Sequence, residues 1–296
     1  MQFTVSEEQE GRLLSALVRE SAPDLPPWAL EEALKRRDVR VDGVKTGSDV
    51  YVRAGQEIRV FFPKAALENA AGKKLPPPDI VFEDDRVLLI DKPQGLASQN
   101  EDDPLSGDTA LTRALKHLRD AGQRTDHVHL CHRLDVQTGG LLLFVKDDEA
   151  YEAALKAFSE RTNRKFYVCR VKGCPSQEEA VMRAYLRKDA EIARVSVTDY
   201  PARGAQQIVT AYRLLERQGD LSRLEVELIT GRTHQIRAHL AHIGHPILGD
   251  DKYGDRALNR RMGVRRQQLW ATKLVLHTGG ALAYLDGRCF EVRCPF

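Results

Sequence analysis

The sequence predicts an α+β fold: a mixed, mainly antiparallel sheet domain with flanking helices, preceded by a small α/β module. Three observations carry this expectation. Beyond residue 79, apolar segments of strand length outnumber segments of helical period and do not alternate with them, which disfavours a doubly wound parallel sheet. Before residue 63, two short helical patterns lead into strands with glycine turns. Between them, residues 64–74 run into Pro76, Pro77 and Pro78 with no core of their own, which reads as a linker. The expected domains are therefore 1–63, a linker over 64–78, and 79–296.

In the first module Leu13, Leu14 and Leu17 recur at helical spacing, and residues 28–35 form a second helix that runs out into Lys35, Arg36 and Arg37. Val39-Arg40-Val41 alternates into the turn Asp42-Gly43, and Tyr51-Val52 passes through Ala54-Gly55 to Ile58-Arg59-Val60. In the larger domain strands are expected at 80–82, 87–90, 141–145, 166–171, 208–215, 224–229 and 281–285. Helices are expected at 148–160, with Tyr151, Leu155 and Phe158 on one face, and at 233–243, with Ile236, Leu240 and Ile243 inward and Gly244 as the stop.

Of 296 residues, 42% are hydrophobic and 30% charged, the mix of a globular chain rather than a disordered or collagen-like one. A net charge of +2 makes no strong global field, so any nucleic-acid site must be a local patch. The five cysteines, Cys131, Cys169, Cys174, Cys289 and Cys294, are odd in number and scattered, which speaks for a reducing compartment. Their two C-x4-C pairs lack the shorter knuckles of structural zinc sites. Glu7, Glu8 and Glu10 open the chain without a basic or apolar leader, and the longest aliphatic run, 141–145, is too short to span a bilayer. A cytoplasmic location is expected, with no membrane partner.

The densest polar cluster, His129-Leu130-Cys131-His132-Arg133-Leu134-Asp135-Val136-Gln137-Thr138-Gly139-Gly140, abuts the apolar run that follows it, so it is rigidly mounted. Asp135 could serve as a nucleophile or base with Arg133 supplying charge, or Asp135 and Thr138 could simply cap a turn. A second cluster, Thr230-Gly231-Arg232-Thr233-His234-Gln235-Ile236-Arg237, opens a helix whose first turn offers backbone donors to an anion. Arg237, one turn further in, can face a carboxylate such as Asp135 and hold it ionised. His234, His239, His242 and His245 invite a metal reading, but their spacing lacks the H-x3-H pattern with a third acidic ligand; solvated or hydrogen-bonded histidines fit better.

Several motifs stand in one order: Asp91-Lys92-Pro93-x-Gly95, His132-Arg133-Leu134-Asp135 with Thr138 and Gly140, Arg164-Lys165-x-Tyr167, Gly231 through Arg237-x-His239, and Gly244-His245-Pro246-Ile247-Leu248-Gly249-Asp250-x-x-Tyr253-Gly254. Together they resemble the RluA-type pseudouridine synthases over residues 80–274. The sequence departs from the family at Gly139, where a serine is usual, at Trp270, where a histidine is usual, and around 276–280. In the first module Arg12, Leu13, the stretch 35–43 and the turn 54–58 resemble the S-four-type RNA-binding domain.

The resemblance implies an enzyme, an isomerase that converts uridine to pseudouridine in RNA, with large-subunit ribosomal RNA the expected substrate. It makes Asp135 the essential carboxylate, Arg237 its partner, and Tyr167 a ring stacked on the uracil that also takes a proton. The target base must leave its stack, with Arg133 as the wedge. Thr138, Lys165, Arg232, His234 and Gln235 would support the substrate or approach phosphates. Arg12, Lys35, Arg36 and Arg37 of the first module, and Arg260 and Arg261 of a later cationic run, would grip the RNA backbone, although either group could be a merely solvated surface. Neither cofactor nor metal is implied, and a monomer is expected. The competing classes are a non-catalytic RNA-binding assembly or translation factor on the same fold, and a metal-dependent hydrolase built on the histidines.

Overall fold

The computed structural model describes residues 1–22, 25, 27–62, 75–105, 107–189 and 194–296, so the expected linker lies outside the described residues from 64 to 74. The chain divides into two compact units, Met1–Pro76 with Asn100–Asp108, and Pro77–Gln99 with Thr109–Phe296.

In the first unit β1 (Gln2–Thr4), β2 (Val39–Val41), β3 (Val44–Thr46) and β4 (Glu57–Val60) form an antiparallel sheet in the order β1-β4-β2-β3. Helices α1 (Leu14–Ser21) and α2 (Pro27–Lys35) share its core: Leu14, Leu17 and Val18, spaced for one helical face, are buried with Ala29, Ala33, Val39, Ile58 and Val60. Asp42 and Gly43 both take positive φ, at 49° and 78°, the geometry of the tight hairpin that an Asp-Gly pair favours. Tyr51 makes only an isolated bridge to Leu13 instead of a strand. Arg12, Lys35, Arg36 and Arg37 are all exposed, and two of them meet carboxylates, Arg12 with Glu20 at 2.9 Å and Arg36 with Glu32 at 2.7 Å. Exposed pairs of this kind contribute little to stability and exchange partners readily.

The second unit contains, in order, β5 (Asp79–Glu83), β6 (Val87–Lys92), α3 (Ala110–Asp120), β7 (His129–Leu130), β8 (Gly139–Val145), α4 (Asp148–Glu160), β9 (Arg164–Lys172), β10 (Glu179–Asp189), β11 (Arg194–Thr198), β12 (Gln206–Gln218), β13 (Leu221–Leu228), α5 (Gln235–His242), α6 (Arg256–Arg261), β14 (Leu269–Val275) and β15 (Cys289–Glu291). Among the described residues they build one eleven-stranded sheet, ordered β11-β10-β12-β13-β9-β14-β8-β6-β5, with β7 beside β8 and β15 beside β14. Pairing is antiparallel throughout except where β14 runs parallel to β8. The fold is thus α+β with a mixed, mainly antiparallel sheet.

Strand β8 is buried over its full length, as its unbroken apolar sequence requires. Its Leu141, Leu143 and Val145 pack with Ala150 and Ala154 of α4 and with Leu274, Leu282 and Leu285. Helix α4 starts where the Asp147 carboxylate accepts from the Ala150 amide at 2.8 Å and stops at Arg161, which adopts φ 59°. Its buried stripe is alanine; of the face expected at Tyr151, Leu155 and Phe158, the two aromatics pack against this core and Leu155 is 52% exposed. Ile243, expected inward, lies past the end of α5 and is exposed as well. The strand expected at 281–285 is a 3-10 turn, Gly280–Leu285, whose three-residue repeat buries Leu282 and Leu285 together.

The parallel contact constrains two glycines. Trp270 pairs with Gly139 and Ala271 with Gly140. A Cβ on Gly139 would overlap the Trp270 ring, and one on Gly140, whose φ is 114°, would meet the Ala271 backbone. The departures noted at 139 and 270 are therefore one: the indole occupies the space a side chain at 139 would need. Gly139→Ala is expected to cost about 1–3 kcal/mol through overpacking, and Trp270→Leu in the same chain to recover at least half of it. Melting temperatures of the two singles and the double measure this; additive losses would show that the two positions do not share the space.

Candidate active site

Asp135 lies in the loop between β7 and β8, and its neighbours are tied down on both sides. The Ser98 hydroxyl donates to the Leu134 carbonyl at 2.8 Å and accepts from its amide at 2.9 Å. The Thr138 amide closes a turn onto the Asp135 carbonyl at 3.0 Å. The Val136 carbonyl accepts from the Gly95 amide at 2.8 Å and, at 3.4 Å, from the Lys92 ammonium. Lys92 is wholly buried and donates also to the Leu96 and Pro93 carbonyls at 2.7 and 3.1 Å. Burial pushes it down to about 8, against the attraction of Asp135 and then Asp91. Lys92 thereby clips the segment 93–96 to the loop carrying Asp135.

The side chain of Asp135 meets Arg237 of α5, whose Nη1 donates to Oδ2 at 2.9 Å. Arg237 is 5% exposed and Asp135 is 28% exposed, so the arginine is inside and the carboxylate still reaches solvent. The arginine is held from behind by Asp250, fully buried, through Nε at 2.7 Å and Nη2 at 3.0 Å, a two-pronged pairing that fixes the guanidinium plane. Asp250 itself accepts from the Lys252 and Tyr253 amides, both at 2.9 Å. Burial works against charge on both groups, yet the hydrogen bonds and charge between them raise Arg237 and lower Asp250. Nη2 also reaches Asp251 at 3.1 Å.

Tyr253 packs beside this pair, its ring centroid 5.4 Å from the Arg237 Cζ and its hydroxyl 3.0 Å from His234 Nδ1. Tyr167 on β9 is 5% exposed, and burial followed by the charge of Asp135 raises its phenol, so it is neutral at neutral pH. Lys165 lies over the Phe158 ring, and burial, then Arg161, lowers it. Burial and Lys165 push His132 down to about 3, leaving it a neutral acceptor for the Leu143 amide.

Two expected contact residues face inward instead. Thr138 is buried and accepts from Gln267 Nε2 at 2.8 Å. Gln235 is buried too, its Oε1 accepting from the Thr230 hydroxyl and the Arg232 amide and its Nε2 donating to Thr210 Oγ1 and the Val209 carbonyl. Their side chains brace the two loops and present no surface to a large ligand. Arg133, Arg232, Arg260 and Arg261 are exposed. The histidines find separate partners: His239 pairs with Thr210 inside, His242 with Asp199, and His245 with the Lys172 carbonyl. Among the described residues no group of three or more His, Cys, Asp or Glu could hold a metal ion.

Lys92, Asp250, Tyr253 and Gln267 were not among the expected site residues. The first three stand in motifs quoted above, where their chemistry was visible without a role; Gln267 carries no sequence signal.

One carboxylate, reachable from solvent, gripped by a buried arginine and close enough to a neutral phenol to act on its charge, defines an acid–base or nucleophilic centre on a mixed, mainly antiparallel sheet. Residues 86–242 match the family described as RNA pseudouridylate synthase, and the chain belongs to it. The ribosomal large subunit pseudouridine synthase D of Xylella fastidiosa is 32% identical over 294 residues, 95% of this chain and 86% of that one. The ribosomal large subunit pseudouridine synthase C of Vibrio cholerae is 29% identical over 91% of this chain and 86% of its own. Among solved structures, human RNA pseudouridylate synthase domain containing 4 aligns with a TM-score of 0.59 at 25% identity, covering 73% of this chain and 88% of that one. The protein is accordingly an isomerase acting on RNA uridines.

Proposed function

We propose that Asp135 is the catalytic carboxylate of this isomerase, Arg237 the residue that orients it, and Tyr167 the ring that stacks on the uracil and takes its proton. The observation that carries the reading is the arginine bridge, which joins a buried Asp250 to a solvent-reaching Asp135. In the reaction the bond from uracil N1 to the ribose C1′ breaks and a bond from C5 to C1′ forms. C5 gives up a proton and N1 ends protonated, so no electrons are gained or lost and no group departs. A neutral Tyr167 phenol can accept the C5 proton only as its own passes on, and the Asp135 carboxylate and water are the available acceptors.

Tyr167→Phe keeps the stacking surface and removes the hydroxyl. RNA affinity is expected within about threefold of wild type while product formation falls about a hundredfold or more. A tyrosine serving only the core would instead lower the melting temperature and leave turnover per folded molecule intact, and that result would remove Tyr167 from proton transfer.

The substrate we propose is large-subunit ribosomal RNA, supported by the names of the two relatives. Arg133 would hold open the gap left by the extruded uridine, while Lys165, Arg232 and His234 line its approach. The first unit would act as an S-four-type RNA-holding module, in which Arg12 and Arg36 trade Glu20 and Glu32 for phosphates beside Lys35 and Arg37. Arg260 and Arg261 on α6 offer a further backbone grip. The enzyme would act as a cytoplasmic monomer with neither cofactor nor metal. Among the described residues no helix is long and apolar enough to cross a membrane.

A further inference from the structure

An RNA strand that brings a uridine to Asp135 must carry its phosphates past two carboxylates that reach solvent. Asp251 is 70% exposed, and Asp135 itself reaches solvent. The buried arginine offers the strand little, because it is 5% exposed and four of its five N–H groups already donate: Nε to Asp250, one on Nη1 to Asp135, and two on Nη2 to Asp250 and Asp251. Phosphate recognition here falls to cations outside the buried pair: Lys252, whose charge acts on His234, Arg232 on the approach, and one on another element.

The ring of Tyr253 supplies the place for one. Two guanidiniums lie against it, Arg237 with Cζ at 5.4 Å from the centroid and Arg194 with Cζ at 5.5 Å. Arg194 is the first residue of the edge strand β11 and is exposed. The next residue, Val195, is buried, and its amide donates to the Tyr253 hydroxyl at 2.9 Å. That bond anchors the start of β11 to the tyrosine, so the Arg194 backbone and its guanidinium are both referenced to one ring. The hydroxyl also meets His234 Nδ1 at 3.0 Å, tying the same ring to the start of α5. A single aromatic side chain thus stands between the arginine that holds Asp135 and one that faces solvent. The contact with the ring restricts the outer guanidinium before any ligand arrives, while Arg194 remains exposed.

We propose that Arg194 binds a phosphate of the substrate RNA strand next to the target uridine, held for that task by Tyr253. The proposal rests on Asp135 being the catalytic carboxylate, because it is the path to Asp135 that places the strand beside these carboxylates. Arg194 would supply a positive charge that Arg237 cannot, and Tyr253 would couple the two so that strand and carboxylate keep a fixed relation.

The test uses the full-length protein and an unmodified transcript of large-subunit ribosomal RNA, with affinity measured across a range of KCl concentrations. Arg194→Ala is expected to weaken binding several fold and to reduce the magnitude of the slope of log affinity against log salt by about 0.7, the contribution of one phosphate on a single strand. Its loss of kcat/KM should be carried by KM. Arg194→Lys, which keeps the charge and loses the stacked plane, should restore most of the slope while recovering only part of the affinity. An unchanged slope in Arg194→Ala would overturn the proposal, as would a fall in kcat with KM and slope intact, which would mean that Arg194 acts through Tyr253 on the chemistry. Binding is read without turnover, so an error in the assignment of Asp135 shows separately, as product formed by Asp135→Asn.

Discussion

Asp135→Asn is expected to lower uridine isomerisation at least about a thousandfold while RNA affinity stays within about threefold of wild type. The reason lies in how the site is built. Asparagine keeps the size of the side chain, and Arg237 keeps its two hydrogen bonds to Asp250, so neither the loop nor the arginine loses its support. The carboxylate charge alone is lost. Binding depends mainly on phosphate contacts made by exposed cations and should change little. Single-turnover assays of pseudouridine formation, paired with equilibrium binding, separate the two quantities; weak binding with normal turnover per bound RNA would reverse the roles assigned here.

Asp250→Ala should have the largest effect on stability. It leaves the Arg237 guanidinium, 5% exposed, with only a partly exposed Asp135 and a largely exposed Asp251 as partners. Removing one member of a buried ion pair costs about 3–5 kcal/mol, which for a domain of this size corresponds to a fall in melting temperature of about 10 °C. Activity should fall with it, because Nη1 would no longer be aimed at Asp135. The pH dependence follows from the lowered pKa of Asp250. A carboxyl lowered in the folded state stabilises the protein above its unfolded pKa, and the contribution disappears as pH falls through the folded value. Wild-type stability should therefore drop below about pH 4, and Asp250→Asn should show a shallower acid limb. Thermal melts of the variants between neutral and acidic pH decide this; equal melting temperatures at neutral pH would show that Asp250 does not hold the arginine.

Much of the frame could be read from local pattern. The apolar run of β8, Leu141 to Val145, is too short for a buried helix and reads as a buried strand, and Asp42-Gly43 specifies its own turn. The 281–285 segment failed because Ala281, Leu282 and Leu285 suit a buried strand and a buried 3-10 turn equally well, and tertiary packing decides between them. On helix α4 Tyr151 and Phe158 of the expected face pack against the core, but the fully buried positions are alanines, since the close approach to β8 favours alanine over the larger Leu155. Strands β10 and β11 carry Arg183, Arg187, Lys188 and Arg194 among their apolar positions, which hides them from a search for apolar alternation. In the site, Asp135 and Arg237 were visible as chemistry in rigid surroundings, but their contact spans 102 residues of chain and only the sheet brings it about. Lys92 escaped because a lysine is ordinarily exposed; it is buried here by three backbone carbonyls that sequence cannot display. Gln235 and Thr138 looked like ligand contacts for the opposite reason, being polar in a functional segment yet buried and bonded inside it.

The central claim, that this chain isomerises specific RNA uridines through Asp135, is tested most directly by mapping pseudouridines with chemical labelling in large-subunit ribosomal RNA from cells lacking the gene, from the same cells supplied with the wild-type chain, and from cells supplied with Asp135→Asn. One or a few labelled positions should vanish without the gene, return with the wild-type chain and stay absent with the variant. An unchanged map in cells lacking the gene would contradict the ribosomal substrate, and restoration by Asp135→Asn would contradict the catalytic assignment.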